Sequence, residues 1–389
     1  RFVIDSDGAR AMVDAGLYQG LAELRRRNWE KLPVPASSID GMVLSHAHLD
    51  HCGYLPRLVR EGFDGPVFCT AETAQLAMIV LRDSAHLQVE DAEYANRAGF
   101  SKHAPALPLY DESDVMLAGR HFRPTAFHTP VEVAPGVTAT LRSAGHILGS
   151  ASVLVETAGT RTLFSGDLGR PHHAIVTPRE DPPAADTVVV ESTYGDRSHP
   201  TSGGTVLADA ITRTIDRGGS VLIPAFAVDR TELVLRKIGS LMRSGAIPQV
   251  PVHVDSPMAL AALKVYASAI PGLLGGATFG IPTLQTAQSA GESQALNKPS
   301  RPSIVVSASG MASGGRVVHH LARQLPDSRN TVILTGYQAV GTRGRDLAEG
   351  TKAVKMHGRY VPVRAEVVMD DEFSVHADAD EILGWLRRL

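Results

Sequence analysis

The chain has 389 residues, 43% of them hydrophobic and 20% charged, with a formal net charge of −3. That is globular composition, long enough for two domains, and it argues against a nucleic-acid site built from a uniformly basic surface. No apolar run reaches the ~20 residues of a membrane helix, no leader is visible, and two cysteines, Cys52 and Cys69, fit a reducing cytoplasm better than a disulfide framework.

In chain order, Arg10 to Val13 reads as a short strand running into Asp14-Ala15-Gly16. The apolar stretch Gly41 to Leu44 reads as a buried strand emptying into a loop, followed by a helix over Tyr54 to Glu61. Ala71 to Ala98, rich in Ala, Leu, Glu and Gln, predicts one long helix or two. Val137 to Arg142, Ala151 to Glu156 and Arg161 to Phe164 alternate apolar and polar residues, as half-buried strands do, the last two joined through Ala158-Gly159. From Thr201 the rhythm changes. Helices are expected at 206–216, 229–243, 258–269 and 315–325. They alternate with strands at 220–224, 250–254, 303–307 and 330–336, which predicts a parallel sheet covered on both faces. The segment from Ile270 to Ser303 reads as loop with a short helix near Ser293 to Leu296. A strand at Ala365 to Met369 and a helix from Ala379 to Arg388 follow. The domains are expected at 1–197, 198–351 and a return segment, 352–389.

The most informative run is Ser45-His46-Ala47-His48-Leu49-Asp50-His51. His46 and His48 are two apart, so in extended chain both side chains leave on one side. Asp50 and His51 fall where the backbone turns toward the helix, so two pairs of ligands point at two neighbouring spots. Imidazole nitrogen and carboxylate oxygen are donors zinc favours in hydrolytic sites, and burying so many unpaired would be costly. Cys52, although adjacent, is read as a small packing residue. A dinuclear site needs more donors. His146, in Gly145-His146-Ile147-Leu148-Gly149, and Asp167, in Ser165-Gly166-Asp167-Leu168-Gly169, supply them at strand ends where glycine permits close backbone approach. The Asp167 carboxylate could bridge two metals.

With these residues the chain resembles the metallo-β-lactamase superfamily, which carries an H-x-H-x-D-H run, a later His and a later Asp in this order. The resemblance implies an α/β fold: an αββα sandwich with two zinc ions. Carried over, His46, His48 and His146 would hold one zinc, Asp50 and His51 the other, and Asp167 would bridge. Asp14 would support the site from behind its ligands.

Val190-Glu191-Ser192-Thr193-Tyr194-Gly195-Asp196 looks like the first signature of the β-CASP branch, whose members cut nucleic acids. Pro224 to Val228, Asp255-Ser256-Pro257-Met258, Ser309-Gly310-Met311, Gly336 to Thr342 and Phe373 to Asp378 look like further elements of it. The likeness is closest to bacterial homologues of the endonuclease subunit that cleaves pre-mRNA before polyadenylation. It implies an inserted parallel-sheet α/β (β-CASP) domain and a zinc-dependent ribonuclease, with single-stranded RNA threading the cleft between the domains.

In such a site two metals ~3.5–4 Å apart activate a water and stabilise the pentavalent phosphate. His376 is then the candidate general acid for the leaving oxygen, and Glu191 the carboxylate that orients its imidazole and favours the charged form. Asp50 counts with the catalytic residues as well as the ligands. Ser309, Gly310 and Met311 open a Gly-rich strand–helix turn whose N–H groups could cradle a phosphate. Arg316 closes that turn, and Arg343 and Arg345, after another turn, could meet backbone phosphates. His319-His320 and His172-His173 are expected to face solvent or pack nearby, without chemistry.

The family places a further zinc-ligand His on a strand after the last helix, beyond Leu389. The second zinc site is thus short of that ligand, and the feature that best separates RNA from DNA substrates lies outside the sequence. A DNA nuclease, a small-ester or thioester metallohydrolase and a binding subunit remain the rivals. Endonuclease action is favoured over 5′-exonuclease action, and a homodimer is one candidate assembly. No membrane partner is expected.

Overall fold

The computed structural model describes residues 1–99, 101, 103–199, 203–272, 279–297 and 301–389. Thr201, where the sequence rhythm changes, and parts of the 270–303 loop lie outside them. The chain divides into two compact units, Arg1–Ser198 with Val375–Leu389, and His199–Ser374.

The first unit is built on two five-stranded sheets. One runs in the order Phe2–Ser6, Ala9–Val13, Gly41–Val43, Val67–Cys69, Phe122–Pro124. The other runs Thr187–Val189, Thr160–Phe164, Ala151–Thr157, Val137–Ser143, Val131–Ala134. Both mix parallel and antiparallel pairs. Alternate residues of the first sheet (Ala9, Ala11, Val13, Val43) bury against Val137, Ala139, Leu141, Val153 and Val155 of the second. The period of two thus gives each sheet one apolar inner face.

Helices cover the outer faces. The helix Ala71–Ala98 is continuous, started by Thr70, whose side chain accepts from Thr73 N–H, and stopped at Gly99 in the left-handed region. Thr70 and Thr73 also donate to the Gly149 carbonyl at 2.8 and 2.9 Å, fastening the helix to the loop that carries His146. On the far face, Leu154, Leu163 and Leu168 pack against Ile382 and Trp385 of the helix Ala379–Leu386. That helix opens on a reciprocal cap between Asp378 and Glu381. This is an α/β fold with the layers αββα.

The second unit holds a six-stranded sheet, in the order Leu284–Thr286, Val252–Val254, Ile304–Ser307, Val221–Pro224, Thr331–Leu334, Glu366–Met369. Its strands are all parallel. Val221, Ile223, Ile304, Val306 and Ile333 face one apolar cluster, and Leu222, Val305, Val332 and Leu334 face another. Both faces are therefore covered, as the strand–helix alternation predicts.

Three expectations need correction. Residues 352–374 belong to the second unit, not to a return segment beginning at 352. The reason is that Glu366–Met369 pairs in register with Thr331–Leu334 and extends the parallel sheet. The 270–303 region contains a strand, Leu284–Thr286, besides its helix, Ala290–Ala295. His320 is fully buried, not solvent-facing. Its Nε2 lies 2.6 Å from the Asp255 carboxylate, which also accepts from Ser293 Oγ and from Arg316. Among the described residues no helix is long and apolar enough to cross a membrane.

The helix Arg230–Arg243 buries the Glu232 side chain fully, and its carboxyl oxygens have no hydrogen-bond partner among the described residues. Burial, then the charge of Asp229, pushes its pKa well above the ordinary value of 4.5. Because the folded pKa is the higher one, the neutral form's contribution is complete below 4.5 and shrinks as pH rises toward the folded value. Glu232→Gln removes that loss. Its urea midpoint is expected to exceed the wild-type midpoint by a margin that grows as pH rises above the ordinary carboxyl value. A pH-independent margin would contradict the assignment.

Candidate metal centre

Most candidate donors of the first unit lie just past the C-terminal end of a strand, while Asp50 and His51 sit in the short helix Leu49–Cys52. Asp14 follows Ala9–Val13, His46 and His48 follow Gly41–Val43, and His146 follows Val137–Ser143. Asp167 follows Thr160–Phe164, and Glu191 follows Thr187–Val189. The sheets thus deliver them to one edge, where the strand ends no longer need their side chains for the core. The two sheets are tied there by Ala151 N–H donating to the Ser45 carbonyl at 2.9 Å.

The four imidazoles of His46, His48, His51 and His146 converge. His46 contacts His48, His51 and His146 with ring centroids 4.9, 4.1 and 5.1 Å apart. His146 Nε2 lies 3.1 Å from His48 Nδ1. Asp167 sits among them with its two oxygens turned to different neighbours. Oδ2 is 3.4 Å from His46 Nε2 and 3.5 Å from His146 Nε2, whereas Oδ1 is 3.1 Å from His51 Nε2. Asp50 is exposed and lies at the outer side, 4.0 Å from His51 Nε2. Close approach makes this possible: a Cβ on Gly16 would overlap the Asp50 carbonyl, and one on Gly169 would overlap the Gly145 carbonyl.

Ligating atoms of His46, His48, His146 and Asp167 lie within 4.8 Å of one another, as do those of Asp167, Glu191 and His376. His46 Nε2 is buried and has no hydrogen-bond partner among the described residues. An orphaned imidazole nitrogen aimed at two other imidazoles and a carboxylate fits a bound cation, which satisfies such donors together.

The surroundings orient the donors. Asp14 is buried and accepts from Ser45 N–H at 2.7 Å and Ser45 Oγ at 2.8 Å, and its Oδ2 lies 2.7 Å from His51 Nδ1. Burial alone would raise the Asp14 pKa. The His51 charge and the hydrogen bonds from His51 and Ser45 prevail and hold it below its ordinary value. His51 is likewise resisted by burial, but Asp167 and then Asp14 hold its imidazole well above the ordinary range. For Asp167, burial is outweighed by His51, His46 and His376, and its carboxyl is held well below the usual value. Burial, then His376, drives His146 well below its usual value, so its ring is neutral, the state a ligand needs. Its Nδ1 lies 3.3 Å from the Val375 carbonyl.

His376 is held by backbone pairing of Gly169 with His376 and by Ala377 N–H donating to the Leu168 carbonyl at 2.7 Å. Its Nδ1 stands 3.2 Å from Glu191 Oε2 and 3.8 Å from Asp167 Oδ2. Glu191 is itself fixed, accepting from the backbone N–H groups of Leu168 and Thr193 at 2.5 and 3.4 Å.

Ser45 is the residue that sequence reading missed. Its hydroxyl serves Asp14 and lies 3.1 Å from His46 Nδ1 and 3.3 Å from His51 Nδ1. The available signal was a polar side chain at the exit of an apolar strand, directly before the His run.

In the second unit the three arginines expected to meet phosphate are engaged within the protein, Arg345 by donating to Glu349 at 2.6 Å. Arg316 donates to Asp255 at 2.6 Å and to the carbonyls of Ala287 and Gln288 at 3.0 and 2.8 Å. This corrects its assignment, because the buried Asp255 carboxylate claims the charge. Arg343 donates to the carbonyls of Lys355, Ala312 and Ser313. Ser309, Gly310 and Met311 lie in the turn between Ile304–Ser307 and Arg316–Gln324.

Residues 2–209 match the family described as the metallo-beta-lactamase superfamily, and residues 232–347 match the Beta-Casp domain. The chain is 35% identical to a ribonuclease of Thermus thermophilus, over 98% of this chain and 86% of that protein. It is 31% identical to an RNase J-like protein of Methanocaldococcus jannaschii, over 99% of this chain and 86% of that one. It is 30% identical to the transcription termination factor FttA of Methanosarcina mazei, over 100% of this chain but 62% of the relative.

Asp14 reaches the cluster through His51. Asp14→Asn keeps the shape and the acceptor for Ser45 N–H but loses the charge. It is expected to weaken divalent-metal retention about 10–100-fold, the usual effect of removing such a partner, measured by competition with a chelator. Undiminished retention would mean that His51 does not depend on Asp14.

Proposed function

This chain belongs to the metallo-beta-lactamase superfamily, and from that premise we propose that it is a zinc-dependent ribonuclease cutting single-stranded RNA at a dinuclear site. The observation that carries the reading is Asp167, whose Oδ2 faces His46 and His146 and whose Oδ1 faces His51. A carboxylate shared in this way suits a bridge between two cations. His46, His48 and His146 would hold one zinc, Asp50 and His51 the other, and Asp14 and Ser45 would keep the rings aligned. The donor set of imidazoles and carboxylates, without thiolate, is that of hydrolytic zinc. Bound there, the metal supplies Lewis acidity that acidifies water and stabilises charge on a phosphoryl oxygen.

The remaining work falls to the protein's own side chains. Glu191, anchored by two backbone N–H groups, sets the orientation of the His376 ring through Nδ1. His376 then protonates the leaving ribose oxygen as the P–O bond breaks, and its charge is balanced by Glu191. The names of the two relatives matched over 86% of their length, a ribonuclease and an RNase J-like protein, favour RNA over DNA or a small ester. The turn at Ser309, Gly310 and Met311, with Arg343, is kept as the candidate phosphate contact; Arg316 is not.

The test is cleavage of one labelled single strand, offered as RNA and as sequence-matched DNA, with His48→Ala and Asp50→Ala as controls. RNA is expected to be cut and DNA spared, with both variants inactive yet folded by circular dichroism. His376→Ala is expected to lower kcat about 10²–10⁴-fold, the range for loss of a general acid, with little change in KM. Full cleavage by His48→Ala or Asp50→Ala would refute the dinuclear assignment. Hydrolysis of a small ester but not RNA would move the substrate class.

A further inference from the structure

The second unit carries a hairpin whose strands are Ala353–Met356 and Arg359–Pro362. Its inner residues Val354, Met356 and Val361 are buried in a cluster with Val317, Leu321 and Leu347. What it exposes is of another kind. Residues 352–364 contain Lys352, Lys355, Arg359 and Arg364 and no Asp or Glu, four positive charges in a chain whose net charge is −3. All four are exposed, and none has a carboxylate at salt-bridge distance among the described residues. Lys355 stands directly across the ladder from Tyr360, which is 73% exposed.

At the tip, His357 stacks on His319 of the helix Arg316–Gln324, with ring centroids 4.4 Å apart and planes at 25°. Both rings are exposed. Arg343 reaches the same hairpin, its Nε donating to the Lys355 carbonyl at 2.9 Å. Burial, then His319, Arg343 and Arg359, hold the His357 imidazole below its ordinary value, which leaves it neutral and suited to stacking. The Arg343 guanidinium is fixed through Nε and Nη1 by three carbonyls, while Nη2 has no partner among the described residues. It is a donor held in place and still able to serve an acceptor.

We propose that this hairpin face, with Lys355, Tyr360, Arg343 and the His319–His357 stack, is a docking track for single-stranded RNA. The proposal rests on the ribonuclease reading for the identity of its partner. Phosphates meet the unpaired cations, and unstacked bases lie on the exposed rings. This is the combination by which proteins hold single strands without reading sequence. A duplex would offer its phosphates but not its base faces, and so would gain only the electrostatic part.

The test compares steady-state cleavage of a long single-stranded RNA with hydrolysis of bis(p-nitrophenyl) phosphate, a small diester that reports the chemistry without the track. Tyr360→Ala and His357→Ala are each expected to raise KM for RNA at least about fivefold, the lower end of one base–aromatic stack. Both should leave kcat and small-diester hydrolysis unchanged. Tyr360→Phe, which keeps the ring, should keep the wild-type KM. Lys355→Glu, at an exposed strand position, should raise KM and flatten its salt dependence. Unchanged RNA KM in Tyr360→Ala, His357→Ala and Lys355→Glu, with the wild type cutting normally, overturns the track alone. Equal losses on RNA and on the small diester also overturn it, because the effect then lies in the fold or the metal centre. A wild type that hydrolyses the small diester but neither binds nor cuts RNA overturns the ribonuclease reading and the track with it.

Discussion

A carboxylate surrounded by imidazoles in a buried position has to settle its charge locally. Asp167 is 7% exposed, and burial would drive it toward the neutral acid were it not for His51, His46 and His376. The same rings cannot all be protonated, since His146 is forced neutral by burial and by its neighbour His376. The cluster is thus a set of mutually dependent donors built around one anion, and the rest of the first unit is arranged to hold it. Asp14 and Ser45 brace His51 and His46 from behind, Gly16 and Gly169 let backbones approach, and Thr70 and Thr73 fasten the His146 loop.

Precision of this kind comes from the sheets. The donors stand on strand ends, and each strand is fixed by an inner apolar face and by its ladder. The Asp14 N–H donates to the Val43 carbonyl and the Ser165 N–H to the Val189 carbonyl, so that the register of the core is carried to the ligands. A one-residue slip of any strand would turn its donor away from Asp167. His376, which enters from a distant part of the chain, is registered by its own backbone pairing with Gly169 and by the capped helix that follows.

Much of this was legible in the residues. The His46–His51 run is dense enough in donors that no packing role competes with it, and His146 and Asp167 stand between glycines at strand ends. The alternation of short apolar strands with helices foretold the parallel sheet of the second unit. Other features were hidden for physical reasons. Strands of three residues, such as Val67–Cys69, Phe122–Pro124 and Leu284–Thr286, are too short to show a period. The run Glu366–Met369 reads as a strand in either unit, and only its pairing with Thr331–Leu334 assigns it. Arg316 carries the charge a phosphate wants, but a sequence does not say which acceptor wins, and in the fold Asp255 does. His319 and His320 are adjacent in sequence and opposite in fate: one helix face turns His320 into a buried partner of Asp255, the other offers His319 to solvent.

A dinuclear centre here requires Asp167 to serve two cations at once. The most direct measurement is a crystal structure of the zinc-loaded protein with anomalous scattering recorded at the zinc edge. It is expected to show two zinc ions, one on the Oδ2 side of Asp167 with His46, His48 and His146, and one on the Oδ1 side with Asp50 and His51. A single ion at full loading, or two ions that leave Asp167 uncoordinated, would contradict it.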